Sequence, residues 1–72
     1  MIKFERVNGQ ISINLPVKMK ESVIEKIDET SSFNFVSFEK VRRRCIIRLE
    51  QAQNPSVTID EIEDRLKDIF NN

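Results

Sequence analysis

Histidine, tryptophan and tyrosine are absent from this sequence, which contains one glycine, one cysteine and two prolines. Without histidine there is no imidazole to act as a general acid, a general base or a metal ligand, and a single cysteine cannot form a thiolate metal site. A single glycine excludes a glycine-rich phosphate loop. We therefore expect a protein that is not an enzyme and that has no cofactor, no metal and no small-molecule substrate.

The lone cysteine, Cys45, also excludes an internal disulfide, which agrees with a reducing compartment. The N-terminal residues lack the apolar stretch of a secretory signal, and no apolar run approaches the roughly 20 residues of a membrane span. We expect a cytoplasmic protein with no membrane contact. Residues 1–72 are expected to form a single domain, and a chain this short buries only about 60% of its unfolded surface, so dimerisation would supplement its stability.

What the sequence does contain is one motif written twice. Residues 4–15 read FERVNGQISINL and residues 38–49 read FEKVRRRCIIRL; the two align without a gap, and an amphipathic segment follows each. In the first copy, Asn8-Gly9 predicts a type I′ turn between strands 2–7 and 10–15. Alternation then predicts one apolar face for this hairpin. That face comprises Ile2, Phe4, Ile11, Ile13 and Leu15.

Residues 33–50, which include the second copy, fit two structures. Arginine, glutamate and glutamine are good helix formers, and Arg-Arg is poor turn chemistry, so a helix is one alternative. The other is a β-hairpin that turns at Arg42-Arg43, favoured by the Cys-Ile-Ile run and by the alignment with Asn8-Gly9. We predict the hairpin, with Cys45 in the core. Its apolar face would comprise Val36, Phe38, Cys45, Ile47 and Leu49.

Two helices complete the pattern. The first is predicted over residues 17–29 from apolar residues four apart, and the second begins at the capping box of residues 58–61. The order ββαββα predicts an α+β domain with a four-stranded antiparallel sheet in the order 1-2-4-3 and both helices on one face. This is a ferredoxin-like arrangement with its last strand moved to the front. It contains an internal ββα pseudo-repeat, about residues 2–30 and 36–70.

An apolar strip on the open face of this sheet predicts a contact surface. The expected interaction face comprises Phe35, Val41, Arg44, Ile46 and Arg48. The function that this predicts is a small protein-interaction or adaptor module, acting as a homodimer or with a protein partner. In addition, Lys18 and Lys20 at the start of the first helix predict an anion site, because backbone N–H groups converge there with two lysines.

Residues 10–16, Gln-Ile-Ser-Ile-Asn-Leu-Pro, resemble the DNA-reading strand of ribbon-helix-helix repressors, and residues 40–49 would be the second helix of that family. The resemblance covers under half of the chain. It implies a dimeric ribbon and the alternative function, a DNA-binding transcriptional regulator. The residues that would contact nucleic acid are Gln10, Ser12, Asn14, Arg42, Arg43 and Arg44. The preceding Asn-Gly hairpin departs from the family, since it occupies the strand that must pair across the dimer.

Overall fold

The structure is a computed structural model that describes residues 2–71. Its four strands form one antiparallel sheet in the order β1-β2-β4-β3, which confirms the predicted α+β fold and strand order. A 3₁₀ turn, Val17–Met19, precedes the first helix. The elements are β1 (Lys3–Val7), β2 (Gln10–Pro16), α1 (Lys20–Asp28), β3 (Phe33–Val41), β4 (Arg44–Gln51) and α2 (Ile59–Asn71).

The first hairpin forms as its turn residues dictate. Asn8 and Gly9 have φ angles of 46° and 79°, the two positive values that a type I′ turn requires. The turn sets the register, which pairs Val7 with Gln10 and Lys3 with Asn14 as predicted. The side chains of Ile11, Ile13 and Leu15 consequently face the core, where each is at most 1% exposed.

The second hairpin also forms, with β3 and β4 antiparallel and Val41 paired with Arg44 across the turn. The helical alternative for residues 36–50 is therefore wrong, and with it the ribbon-helix-helix architecture. That architecture fails for a second reason, because β2 is hydrogen-bonded to β1 on one side and to β4 on the other. A strand paired on both sides has no free edge with which to form a ribbon with a second chain.

A single hydrophobic core lies between the sheet and the two helices. Alternate residues of β2 and β4 point into it, and α1 contributes Val23 and Ile27 while α2 contributes Ile62 and Leu66. Cys45 is fully buried in this cluster, as predicted. Both helices thus cover the same face of the sheet and leave the other face open. Neither helix within residues 2–71 is long and apolar enough to cross a membrane.

Helix α1 begins later than its apolar periodicity predicts. Pro16 is still extended, with φ −61° and ψ 138°, and the α-helix starts only at Lys20 after the 3₁₀ turn. Met19 occupies the N-cap position and makes no side-chain capping bond. Since no serine, threonine, aspartate or asparagine is available there to satisfy the first N–H groups, the chain tightens into a 3₁₀ turn instead.

Buried hydroxyl groups tie the C-terminal end of α1 to the segment before α2. Thr30 Oγ1 donates to the Ile27 carbonyl at 2.8 Å, which caps the helix. Ser32, fully buried, accepts a bond from the Val57 N–H at 2.8 Å through its Oγ, and that Oγ lies 3.0 Å from Ser56 Oγ. Every buried side-chain N or O atom within residues 2–71 has a partner. This network fixes the connection between β4 and α2.

A bulge in β3 changes which residues share a face. The register pairs Phe35 with Leu49 and then Ser37 with Arg48, so Val36 is an extra residue without a partner in β4. Phe35 therefore belongs to the helix-side face, and its predicted place on the open face is wrong. Val36 is 51% exposed rather than part of the apolar face. Beyond the bulge the predicted alternation holds, with Phe38 opposite Ile47 on the helix side.

An arginine on β1 forms ion pairs with two carboxylates of α2. Arg6 pairs with Ile11, which places it on the helix side, and its Nη2 lies 2.9 Å from Asp60 Oδ1 while its Nε donates to Glu63 Oε1 at 3.0 Å. Hydrogen bonds to these two carboxylates raise the pKa of the Arg6 guanidinium. These contacts join residues more than 50 positions apart in the sequence, and no local sequence pattern predicted them.

Candidate interaction surfaces

The open face of the sheet carries most of the residues expected to form a contact surface. Val41, Arg44, Ile46 and Arg48 all lie there, since strand pairing aligns them with residues on that face. One row across the sheet runs Lys3, Asn14, Ile46, Glu39. Gln10, Ser12 and Asn14, three of the six residues expected to contact nucleic acid, lie on the same face along β2.

Polar side chains on the open face bond to one another. Arg44 donates from Nε to Asn14 Oδ1 at 2.7 Å and from Nη2 to the Asn14 carbonyl at 3.2 Å. Arg48 Nη1 lies 3.4 Å from Glu39 Oε2. These bonds hold two arginines against the sheet on either side of Ile46, which is only partly exposed. The open face is thus more polar than the apolar strip that the sequence predicts for it.

The exposed apolar surface lies instead on the edge strand β3. The described residues include five exposed large hydrophobic side chains, and only Val7 is outside β3. The other four, with their exposed fractions, are Phe35 (44%), Val36 (51%), Phe38 (46%) and Val41 (51%). We call these four residues the β3 edge strip.

The β3 edge strip wraps around both sides of the strand. Phe35 and Phe38 face the helix side, whereas Val41 faces the open side. Lys20 Nζ lies 4.0 Å from the centroid of the Phe38 ring, a cation–π contact between α1 and this strand. Within residues 2–71, β3 pairs only with β4, so its outer backbone groups face away from the sheet without a strand partner.

Basic side chains from two separate segments meet at one end of the sheet. The Val17 N–H donates to the Arg43 carbonyl at 2.8 Å, which joins the 3₁₀ turn before α1 to the β3–β4 turn. Lys18, Lys40, Arg42 and Arg43 then border one shallow depression together with Pro16 and Val17. We call these four cationic residues the basic end.

The predicted pairing of Lys18 with Lys20 as an anion site has a different geometry from the one expected. Lys18 is exposed, but the Lys20 ammonium is engaged with the Phe38 ring and lies 3.9 Å from Glu21 Oε1. The cationic neighbours of Lys18 are therefore the arginines of the β3–β4 turn rather than Lys20. Sequence order hid this, because the two segments become neighbours only through the pairing of Pro16 with Arg44.

The turn of the second hairpin differs from that of the first in its backbone. Arg42 has a φ of 57°, in the left-handed region, whereas Arg43 keeps a negative φ. Glycine, asparagine or aspartate is the usual residue at a turn position with a positive φ. The turn thus forms where the repeat predicts it but with an arginine in a conformation that arginine rarely adopts.

The fold and these surfaces define a small α+β domain with an apolar sheet edge and a cationic end. Within residues 2–71 no three acidic, cysteine or histidine side chains are grouped so as to hold a metal ion. Comparison with family models, with curated proteins and with solved structures found no match.

Proposed function

We propose that this protein is a small non-enzymatic interaction module that works as a homodimer through the β3 edge strip. One observation carries the proposal: four of the five exposed large hydrophobic side chains in the described residues lie on a single edge strand. Exposed apolar patches of this kind mark contact surfaces. An edge strand adds main-chain donors and acceptors, which a second strand can pair with directly.

The second copy of the chain is the occupant that the strand's composition favours. β3 carries one acidic and one basic residue, Glu39 and Lys40, so it has no net charge that would repel its own copy. Antiparallel pairing of two β3 strands about a two-fold axis keeps each helix side on the same face. Phe35 and Phe38 of one copy would then meet the same residues of the other, extending the core of a domain too small to bury much alone.

The opposite edge of the sheet offers a contrast. Strand β1 has a single exposed large hydrophobic residue, Val7, and its other exposed side chains include Lys3, Glu5 and Arg6. Charged residues of this kind protect an edge from pairing. The open face is a weaker candidate than β3, because its arginines bond to Asn14 and Glu39 and its central Ile46 is only partly exposed.

A matched pair of substitutions tests the proposal. Val36→Glu and Val7→Glu make the same chemical change at residues that are 51% and 58% exposed, on opposite edges of one sheet. Burying the exposed half of one valine contributes about 0.8–1.5 kcal/mol, and a buried carboxylate adds a desolvation cost, so Val36→Glu should raise the dimer Kd at least about 10-fold. Val7→Glu should leave it unchanged. Sedimentation equilibrium over a concentration series gives both constants, and thermal unfolding checks that both variants fold.

A wild-type chain that stays monomeric at about 1 mM, where interactions weaker than about 4 kcal/mol escape detection, would contradict the homodimer. A third variant, Ile46→Glu, examines the open face. If Ile46→Glu dissociates the dimer and Val36→Glu does not, the contact lies on the open face that the sequence alone predicts.

A further inference from the structure

The basic end is built by tertiary structure from two segments that the sequence keeps apart. Lys18 follows β2, while Lys40, Arg42 and Arg43 belong to the end of β3 and the turn after it. The backbone bond from Val17 N–H to the Arg43 carbonyl, at 2.8 Å, and the pairing of Pro16 with Arg44 hold the two segments side by side. The cations are thus carried on paired backbone rather than on a free loop.

These four cations have no internal counterion. Within residues 2–71 none of them takes part in an ion pair, whereas Arg6, Lys20, Lys26 and Arg48 each have a carboxylate within 4.0 Å. The chain has 12 basic and 12 acidic residues, so its zero net charge conceals an uneven distribution. The carboxylates are concentrated on the helices, in α2 above all. Local positive potential at the basic end persists despite the neutral total.

The β3–β4 turn has an arginine at a position where the backbone conformation favours asparagine or glycine. Arg42 occupies the left-handed region at φ 57°, and the aligned residue of the first copy is Asn8 at φ 46°. Asparagine and glycine adopt this conformation readily, while arginine does so at a cost. A charged residue kept at an exposed turn position whose backbone conformation disfavours it points to a use for its charge.

A polar track leads from the basic end across the open face. One depression is bordered by Asn14, Ile46 and the arginines of the turn. A neighbouring one shares Asn14 and Ile46 and is otherwise lined by Lys3, Phe4, Glu5, Ser12 and Arg48. Cations therefore recur along a line with amide and hydroxyl groups between them, and two carboxylates, Glu5 and Glu39, lie beside the part of the line farther from the turn. A linear polyanion fits such a line better than a single anion does, and planar guanidinium groups match phosphate oxygens in pairs.

We propose that the basic end binds the phosphodiester backbone of nucleic acid, without reading its sequence. The open face of the described residues carries no aromatic side chain, since Phe35 and Phe38 lie on the helix side, so it offers no platform on which bases could stack. Contacts to phosphate alone position a protein without selecting a sequence. Of the four cations, Lys40 lies on β3, the strand of the proposed homodimer contact, whereas Lys18, Arg42 and Arg43 lie outside it, so phosphate binding does not require the dimer.

The dependence of the Kd on salt concentration measures how many phosphate contacts the basic end makes. With the four unpaired cations as phosphate contacts, log Kd should change with log[salt] with a slope of about 2.8 for single strands and about 3.6 for duplex. Between 50 and 200 mM salt, affinity should fall about 50-fold and about 150-fold respectively. The measurement is fluorescence anisotropy with a fluorescein-labelled single-stranded DNA of about 20 nucleotides and with its duplex.

Two double variants with equal net charge locate the site. Arg42→Gln with Arg43→Gln removes two of the four cations, so the slope should fall to about half. Arg65→Gln with Lys67→Gln removes two exposed charges of α2 that have no ion pair within residues 2–71, and should change neither slope nor affinity by more than about 2-fold. Val36→Glu, which breaks the proposed dimer contact, should still bind through this end, so failure of one proposal leaves the other testable.

Three results would overturn the proposal. One is the absence of binding to both probes at 50 mM salt. Another is an unchanged slope in the Arg42/Arg43 double variant, or an equal loss in the Arg65/Lys67 control. The third is preference for another polyanion: tighter binding to vesicles containing phosphatidylserine, or displacement of the DNA by an equal charge concentration of polyglutamate, would assign the basic end to a membrane surface or an acidic protein.

Discussion

Replacing Arg42 by glycine should stabilise this protein, which is unusual for a change that removes a whole side chain. Arg42 has a φ of 57° at the tip of the second hairpin, and it forms no ion pair within residues 2–71. The left-handed conformation costs a residue with a Cβ about 1–2 kcal/mol. Glycine escapes that cost, but it loses about 0.5–1 kcal/mol through the greater freedom of the unfolded chain. The net gain expected for Arg42→Gly is about 0.5–1 kcal/mol.

The neighbouring residue supplies a control that removes the same charge. Arg43 keeps a negative φ, so Arg43→Gly has no strain to relieve and should destabilise by about 0.5–1 kcal/mol. Relief of repulsion among the turn arginines and the entropy of glycine are common to both variants. The difference between them therefore isolates the backbone cost at position 42, about 1–2 kcal/mol. Asn8→Gly, at the matching position of the first hairpin, should change stability by less than about 0.5 kcal/mol, because asparagine tolerates a positive φ.

Thermal unfolding followed by circular dichroism measures these differences. For a domain of this size, 1 kcal/mol corresponds to about 4–8 °C, so the Tm of Arg42→Gly should exceed that of Arg43→Gly by about 4–16 °C. Equal Tm values for the two glycine variants would show that charge, not backbone strain, governs this turn. A loss of stability in Arg42→Gly would show that the arginine side chain stabilises the fold by more than its positive φ costs.

Two further predictions concern buried polar groups. Ser32→Ala leaves the partly buried Val57 N–H without its acceptor and should cost about 1–3 kcal/mol in urea unfolding. Ser22→Ala, on the exposed side of α1, should stay within about 0.5 kcal/mol, and similar losses in both variants would contradict the role given to Ser32. Burial raises the pKa of the Cys45 thiol above its ordinary 9.0, with Lys20 and Arg44 opposing the shift. The folded state thus holds a proton that the unfolded state releases, so stability is complete below about pH 9 and falls as pH rises further, by at most about 1.4 kcal/mol per pH unit. Urea unfolding between pH 8 and 10 should show this decline in wild type and a shallower one in Cys45→Ala; identical declines would exclude the thiol as its source.

Local chemistry determined the hairpins and their register. Asn8-Gly9 accepts two positive φ angles, and a two-residue turn then leaves only one pairing, which the structure has from Val7–Gln10 to Lys3–Asn14. The repeated motif placed the second turn at Arg42-Arg43 although arginine is a poor turn residue. Alternation of apolar residues in the central strands located the core, because a sheet with one buried face must alternate.

The position of the contact surface needed the tertiary structure. Assigning residues to the two faces of a strand by alternation assumes that every second residue points the same way. A β-bulge inserts one extra residue into the strand and so shifts this assignment, and the local sequence gives no sign of it. The extra residue, Val36, moved Phe35 to the helix side, so the apolar surface lies along the edge of β3 rather than across the open face. The Asn14–Arg44 bonds, which make the open face polar, likewise depend on β2 and β4 being neighbours.

The sequence by itself determined that this chain folds into two hairpins and two helices around one core, because turn residues and apolar periodicity act over a few neighbouring positions. Only the tertiary structure decided which charges and apolar groups meet. Lys18 joins Lys40, Arg42 and Arg43 because the strand order sets the end of β2 beside the start of β4. Arg6 reaches α2 for the same kind of reason. Such contacts arise from the packing of distant segments, which no local pattern encodes.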